Sequence, residues 1–173
     1  MISRRTLISG ISGLLAATQV RAAPPADDPA GIITAIYSRV AKGKGDSGGN
    51  FVVDGKAART KYLSKSLIAL WAKADARTRK GDGGPVGFDP VTNSQDPDVK
   101  SFKVAAEKQE ADKSSIAVTI ESHQPDARAN PADKTIRYDF VRDAGQWKID
   151  DIKGSVDGQP WSIRALLVDS FKY

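Results

Sequence analysis

The spacing of apolar residues changes from helical to alternating near Ser101, and that change limits the folds that the chain can adopt. After Ser101 apolar and polar residues alternate with a period of two, as in a strand with one buried face. The residues on the predicted buried face are Phe102, Val104, Ala106, Ile116, Val118, Ile120, Ile136, Tyr138, Phe140, Trp147 and Ile149. Asp143-Ala144-Gly145 predicts a tight hairpin turn, and the alternation slips at Asp150-Asp151-Ile152 as a β-bulge requires. The sequence therefore predicts an antiparallel meander of about four strands.

Before that point the apolar residues recur at helical spacing. Asp28 and Pro29 are suited to begin a first helix, and a second helical region covers roughly residues 61–79. Ser162 can cap a short C-terminal helix. The predicted fold class is α+β, with two N-terminal helices packed on one face of a curved antiparallel sheet of about four strands and a short C-terminal helix. We expect one domain over residues 31–173, after a flexible lead-in over 23–30.

The first 22 residues have the order of regions that secretory signal peptides show. A short basic start containing Arg4 and Arg5 precedes an uncharged stretch, and small residues follow it, so we expect cleavage after Ala22. The Arg4-Arg5 pair resembles a twin-arginine signal, although Leu7 stands where Phe is common; an ordinary secretory signal is the alternative. The uncharged stretch is too short to span a bilayer, which takes about 20 apolar residues. The sequence predicts a periplasmic or secreted protein with no stable membrane anchor.

Charge and cysteine content exclude several functional classes. The chain has 26 Lys and Arg against 21 Asp and Glu, a net charge of +5. Three of these charges, on Arg4, Arg5 and Arg21, precede the predicted cleavage site, which leaves +2 on the mature part. Nucleic-acid binding is therefore not expected, because most of the basic excess belongs to the signal. The chain has no Cys, which excludes disulfides, thiol chemistry and cysteine-based zinc sites.

Six segments spread over about 32–167 suggest a family. They are 62–67 (YLSKSL), 87–90 (GFDP), 93–96 (NSQD), 138–141 (YDFV), 145–152 (GQWKIDDI) and 162–167 (SIRALL). Together they resemble a family of exported bacterial domains of unknown function. The segment WKIDDI is also common in domains similar to nuclear transport factor two, in which a curved sheet wraps around helices to form a cone with a pocket. The resemblance implies that fold, but it implies no activity and no catalytic residue.

Two acidic clusters and one tryptophan are the candidate ligand or partner sites. Asp89, Asn93, Gln95 and Asp96, with Asp98, concentrate oxygen ligands in one loop, but their spacing does not match a calcium motif and such residues are common in turns. Asp150 and Asp151 are adjacent, so a regular strand would point them to opposite sides; a bulge can bring both to one side, and capping a helix end is the alternative. Trp161 is a candidate for the mouth of a pocket.

The sequence offers no motif for a cofactor or a metal. His123 is the only histidine and lies in a predicted turn, where we expect an exposed loop residue. The favoured hypothesis is an exported, non-enzymatic domain that binds an unknown protein or small ligand, one form of which is neutralising a toxin. The alternative is a small acid-base enzyme in which Tyr37, Tyr138, Asp139 or Asp150 converge in a cone pocket. Two ionisable groups with oppositely displaced pKa values in one deep pocket would favour the enzyme.

Overall fold

The computed structural model describes residues 28–43, 48–79, 84–124 and 130–172. The predicted signal peptide, with Arg4, Arg5 and the cleavage site at Ala22, lies outside the described residues, as does most of the lead-in. The helices are α1 (Pro29–Ala41), α2 (Gly55–Tyr62), α3 (Lys65–Asp75) and α4 (Ile163–Asp169). The strands are β1 (Ser101–Gln109), β2 (Lys113–Glu121), β3 (Thr135–Asp143), β4 (Gln146–Val156) and β5 (Gln159–Ser162). The α+β fold class is confirmed.

The first helix begins as its sequence predicts. The Asp28 carboxylate accepts hydrogen bonds from the backbone N–H groups of Ala30 and Gly31, and Pro29 occupies the first turn, where no N–H is needed. One face of α1 is buried, including Ile33, Ile36 and Tyr37. This face packs against β1 and β2, so the N-terminal cap fixes where α1 meets the sheet.

The prediction of a single second helix over residues 61–79 is wrong. The structure has two helices there, α2 and α3, which are separated at Leu63 and Ser64. Leu63 forms a parallel bridge with Ile149 of β4, and the Ser64 N–H donates to the Ile149 carbonyl over 2.8 Å. Ser64 then caps α3 by accepting from the Leu67 N–H. The break therefore depends on a strand that is more than 80 residues away in sequence, which helical periodicity cannot reveal.

The sheet is an antiparallel meander in the order β1-β2-β3-β4-β5. The described residues form five strands. The predicted count of about four is wrong, because the prediction omitted β5. Strand β5, which the sequence did not predict, follows a two-residue turn at Asp157 and Gly158, which have φ values of 51° and 77°. An Asp-Gly pair with two positive φ values is typical of a tight hairpin. The four residues of β5 are too few to show an alternating pattern.

Two predicted irregularities of the meander are confirmed. Ala144 and Gly145 form the β3–β4 turn with φ values of 50° and 79°. The β3–β4 register then shifts, since Phe140 pairs with Ile149 whereas Asp139 pairs with Asp151, and Asp150 is the extra residue of a bulge. The bulge lets Ile149, Asp151 and Ile152 all be buried within four positions.

The helices lie on one face of the sheet, as predicted. Helix α1 contacts β1 and β2, whereas α3 and α4 contact β4. Between helices and sheet lies a core that includes Tyr37, Leu67, Tyr138 and Phe140. On the opposite face Arg137 of β3 pairs with Glu107 of β1 at 3.0 Å, which is typical of a solvated surface. No helix among the described residues is both long enough and apolar enough to cross a membrane.

Candidate functional site

The loop between α3 and β1 is held together by the buried carboxylate of Asp89. This carboxylate accepts hydrogen bonds from the N–H groups of Gly49 and Val91, at 2.7 and 2.9 Å, and from the hydroxyl of Thr92 at 2.7 Å. The backbone of Asp89 also bridges to Ser94, which closes the turn between them. Asp89 is only 3% exposed, so its acceptors fix the loop from inside.

Burial raises the pKa of Asp89 above its usual value of 3.8, even though four neutral donors, the Thr92 hydroxyl and three backbone N–H groups, favour the ionised form. The Gly49 N–H reaches this carboxylate because Gly49 lies against Val91. A Cβ at position 49 would fall 2.1 Å from the Val91 Cβ, so no larger residue fits there without a shift. Gly49 and Asp89 thus form one close-packed contact between two loops.

Asn93 connects the loop to the far end of the sheet. Its side-chain amide donates to the Ser155 carbonyl over 2.7 Å, and its amide oxygen accepts from the Trp161 indole N–H over 2.9 Å. Trp161 also packs edge to face against Phe88, with ring centroids 5.0 Å apart, and lies directly over Gly154. Trp161, proposed from sequence as part of a pocket mouth, therefore holds the loop against β4 and β5.

Gln95 and Asp96 are the exposed members of the predicted loop set. The hydroxyl of Ser94 accepts from the Asp96 N–H and donates to the Asp96 carbonyl, so the backbone turns tightly there. The Asp98 carboxylate accepts from the backbone N–H groups of His123 and Gln124 and contacts the His123 ring nitrogen at 2.6 Å. These bonds to His123 hold the pKa of Asp98 below its usual value.

A cleft of about 500 Å³ lies between this loop and helix α3. We call it the Trp71 cleft. Its described lining residues are Asn50, Val53, Asp54, Trp71, Val86, Gly87, Phe88, Asp89, Pro90 and Gln95. Two members of the predicted loop set, Asp89 and Gln95, therefore contribute to one cleft, whereas Asn93, Asp96 and Trp161 are not among its lining residues.

Trp71 supplies the feature of this cleft that the sequence did not predict. The residue is 3% exposed, and its indole N–H has no hydrogen-bond partner among the described residues. The guanidinium of Arg59 stacks on one face of the ring, 4.5 Å from its centroid. A buried donor without an acceptor costs about 1–3 kcal/mol, so such groups mark places where a ligand or water can supply the acceptor. On the sequence, Trp71 is simply one residue of an apolar helix face.

The second predicted cluster, Asp150 and Asp151, has no open cleft of this kind. The Asp151 carboxylate accepts from the Ser162 hydroxyl at 2.7 Å and from the Arg164 N–H at 3.1 Å, at the start of α4. The Asp150 carboxylate accepts from the Ser64 hydroxyl and from the Arg164 guanidinium at 2.6 Å. Asp139 and Asp150 both line a smaller cavity of about 290 Å³ beside β2. The carboxylates of Asp150 and Asp151 lie at helix ends, the geometry that stabilises caps, and Asp150 is also paired with the Arg164 guanidinium.

The four groups of the acid-base hypothesis do not all converge: Asp139 and Asp150 line the same cavity beside β2, but neither Tyr37 nor Tyr138 is among its described lining residues. The hydroxyls of Tyr37 and Tyr138 lie 3.0 Å apart in the core, and Tyr37 donates to the Val91 carbonyl. Burial raises the pKa of Tyr138 well above its usual value, which opposes its use as a base. Asp139, by contrast, pairs with Lys153, and Asp150 pairs with Arg164.

The described residues contain no group of three or more His, Cys, Asp or Glu side chains placed to hold a metal ion. Comparisons of this chain with the models of known protein families, with curated proteins and with solved structures find no significant match. The Trp71 cleft has to be interpreted from its own chemistry.

Proposed function

We propose that this chain is an exported, non-enzymatic binding domain whose protein partner or small ligand occupies the Trp71 cleft. One observation carries the proposal: Trp71, whose buried indole N–H has no acceptor among the described residues, lines a cleft of about 500 Å³ to which Asp89 and Gln95 also contribute. Small-molecule sites usually combine apolar and aromatic walls with a few fixed polar groups, and their volumes are typically about 300–1,000 Å³. The Trp71 cleft has a volume in that range and has Trp71 and Phe88 in its walls, but polar groups make up more of its lining than apolar groups do.

The lining of the cleft indicates which groups it binds. Asn50, Asp54 and Gln95 offer amide and carboxylate groups, Trp71 offers a donor, and Phe88 offers an aromatic edge. The described residues that line the cleft include no Lys or Arg, whereas Asp54 and Asp89 bring carboxylates. A neutral polar or cationic group that can also accept one hydrogen bond therefore fits, and an anion does not.

The proposal includes the export and the finer fold inferred from the sequence. The signal-like residues 1–22 support delivery to the periplasm or the medium, by the twin-arginine route or the general secretory route. The one-sided helix cover of the meander supports a cone similar to nuclear transport factor two, in which β5 would be an added edge strand. Neutralising a toxin is one form of partner binding that such a small domain permits.

The binding hypothesis is favoured over the acid-base alternative by the neighbours of the candidate groups. Acid-base catalysis needs at least two ionisable groups that reach one reacting atom. Tyr37 and Tyr138 are buried together, whereas Asp139 and Asp150 are ion-paired elsewhere. Asp139 and Asp150 do line one cavity, but each of them is paired with a cation, so we do not propose the enzyme.

Site-specific photo-crosslinking in the exporting host tests the proposal. A benzoylphenylalanine at position 95, on the exposed rim of the cleft, should capture the bound molecule, which mass spectrometry then identifies. The same group at position 105, on the outer face of β1, is the matched control, since Ala105 is exposed and is not among the described lining residues of the cleft. Trp71→Phe in the position-95 protein should reduce the adduct about fivefold, because one hydrogen bond of about 1 kcal/mol is lost.

Two results would contradict the proposal. Equal adducts from positions 95 and 105 would indicate unspecific capture, and no adduct from position 95 would leave the cleft without an occupant. If Trp71→Phe left the adduct unchanged while the variant kept its thermal unfolding midpoint, the indole N–H would not be a contact. Fractionating the same cells tests export separately, because the proposal places the mature chain outside the cytoplasm.

A further inference from the structure

A second groove lies where helix α2 ends and meets the β3–β4 hairpin. It has a volume of about 430 Å³, and we call it the Lys148 groove. Its described lining residues are Ile32, Lys61, Arg142, Gly145, Gln146, Trp147 and Lys148. It shares no lining residue with the Trp71 cleft, and α2 separates Asp54 of that cleft from Lys61 of this groove. The proposed function involves only the Trp71 cleft, which lies at the other end of α2.

Three cationic side chains line the Lys148 groove, and its described lining residues include no Asp or Glu. Lys61, Arg142 and Lys148 form no salt bridge within the described part of the chain, unlike Arg59, Arg137 and Arg164. Asp143, next to Arg142 in the chain, accepts from the Lys65 N–H at 2.7 Å and is ion-paired with the Lys65 ammonium. Asp143 also interacts electrostatically with Lys148, so one carboxylate partly offsets three cations. The groove therefore keeps an excess of positive charge.

Neutral groups hold two of these cations in place. The Lys148 ammonium donates to the last carbonyls of α2, to Thr60 at 3.2 Å and to Lys61 at 2.7 Å. The Arg142 guanidinium donates to the Gly145 carbonyl at 2.9 Å and stacks on the Trp147 ring, 4.4 Å from its centroid. Contacts to carbonyls and rings orient a cation without cancelling its charge. Lys148 also covers the carbonyl end of α2, which would otherwise repel an anion.

We propose that the Lys148 groove binds a phosphate group. Three cations around one groove balance a phosphate better than a singly charged carboxylate, and a guanidinium with two ammonium groups matches the several oxygens of phosphate. Ile32 and Trp147 add apolar surface beside these cations, so the phosphate can carry an organic body. The ligand is a free phosphate or phosphate ester, or the phosphate of a lipid headgroup. This site does not depend on what occupies the Trp71 cleft.

Titrating the mature protein with inorganic phosphate at low ionic strength, followed by the amide and indole N–H resonances, tests the proposal. We expect saturable shifts at Trp147 and at the 145–148 backbone, weaker shifts with acetate, and loss of binding at high salt. Arg142→Gln and Lys61→Gln should each weaken phosphate binding about fivefold, the effect of removing one charged contact. The matched control is Lys56→Gln, at the exposed opposite end of α2, which should leave binding unchanged.

Vesicles distinguish the two sources of the phosphate group. Sedimentation with phosphatidylcholine vesicles containing phosphatidylglycerol, lost in Arg142→Gln and kept in Lys56→Gln, would assign a lipid headgroup. Binding of inorganic phosphate without vesicle binding would assign a free phosphate or phosphate ester. The proposal is overturned if neither probe binds saturably, if acetate binds as well as phosphate, or if Lys56→Gln weakens binding as much as Arg142→Gln. Lys148→Gln is not used alone, because Lys148 also fastens the end of α2.

Discussion

The loop over residues 89–98 (the acidic loop) and the β3–β4 hairpin both contain several carboxylates, but these carboxylates have different partners and different roles. In the loop, Asp89 is buried and accepts hydrogen bonds only from neutral donors. In the hairpin, Asp143, Asp150 and Asp151 lie at the N-terminal ends of α3 and α4, and two of them also pair with cations. The acidic loop has the Trp71 cleft beside it, whereas the hairpin carboxylates hold α3 and α4 against the sheet.

The difference shows that the local partner of a carboxylate decides its role more than the number of neighbouring carboxylates does. A helix N-terminus offers free N–H groups and a favourable dipole, so Asp143 remains ionised there at little cost. The loop has no helix end, and Asp89 must organise irregular backbone in a desolvated place. A loop built in this way can form one wall of a binding cleft, as the Trp71 cleft requires.

The largest expected effect comes from removing Asp89. Asp89→Ala leaves the Gly49 N–H, the Val91 N–H and the Thr92 hydroxyl without their acceptor, and we expect the free energy of unfolding to fall by about 3–5 kcal/mol. Urea denaturation of the mature domain measures this loss of unfolding free energy. Asp96→Ala, on the exposed part of the same loop, is the matched control and should change stability by less than about 0.5 kcal/mol. Similar losses in both variants would show that Asp89 does not organise the loop.

A smaller effect is expected on the hairpin side of the comparison. Asp151→Ala removes the acceptor of the Ile152 N–H and, at the start of α4, of the Arg164 N–H and the Ser162 hydroxyl. Because the two bonds at α4 are only part-buried, the loss should cost about 1–2 kcal/mol. Asp169→Ala, at the other end of α4, removes only an exposed pair with Lys172 and should cost less than about 1 kcal/mol. If Asp151→Ala were as damaging as Asp89→Ala, the contrast between loop and hairpin would fail.

Local patterns predict much of the fold, because the interactions behind them are local. The strand alternation, the Ala144-Gly145 turn, the bulge at Asp150 and the Asp28 cap each depend on neighbours within a few residues. The break at Leu63 was missed because it needs a bridge to Ile149. The turn at Asp157-Gly158 carried a usable hairpin signal, and that signal would have predicted β5.

The candidate site was predicted less completely than the fold. Its acidic loop is visible in the sequence, since Asp89 and Gln95 stand among turn-forming residues. Its opposite wall is not visible, because a tryptophan on the apolar face of α3 predicts core packing whether or not its N–H finds an acceptor. The same holds for the Lys148 groove, where Lys61 and Lys148 meet only through the packing of α2 against β4.

The smallest expected effect is a difference in titration between the two regions. Burial raises the pKa of Asp89 above 3.8, so the stability that its protonated form contributes is present below pH 3.8 and is lost as the pH rises through the raised value. The Lys65 N–H lowers the pKa of Asp143 below 3.8, so its contribution is present above pH 3.8 and is lost as the pH falls through the lowered value. Carboxyl-carbon resonances should therefore show Asp143 titrating at lower pH than Asp89, with Asp89→Asn and Asp143→Asn assigning the signals. Coincident titrations, or the reverse order, would mean that the loop carboxylate is as well solvated as the helix-capping one.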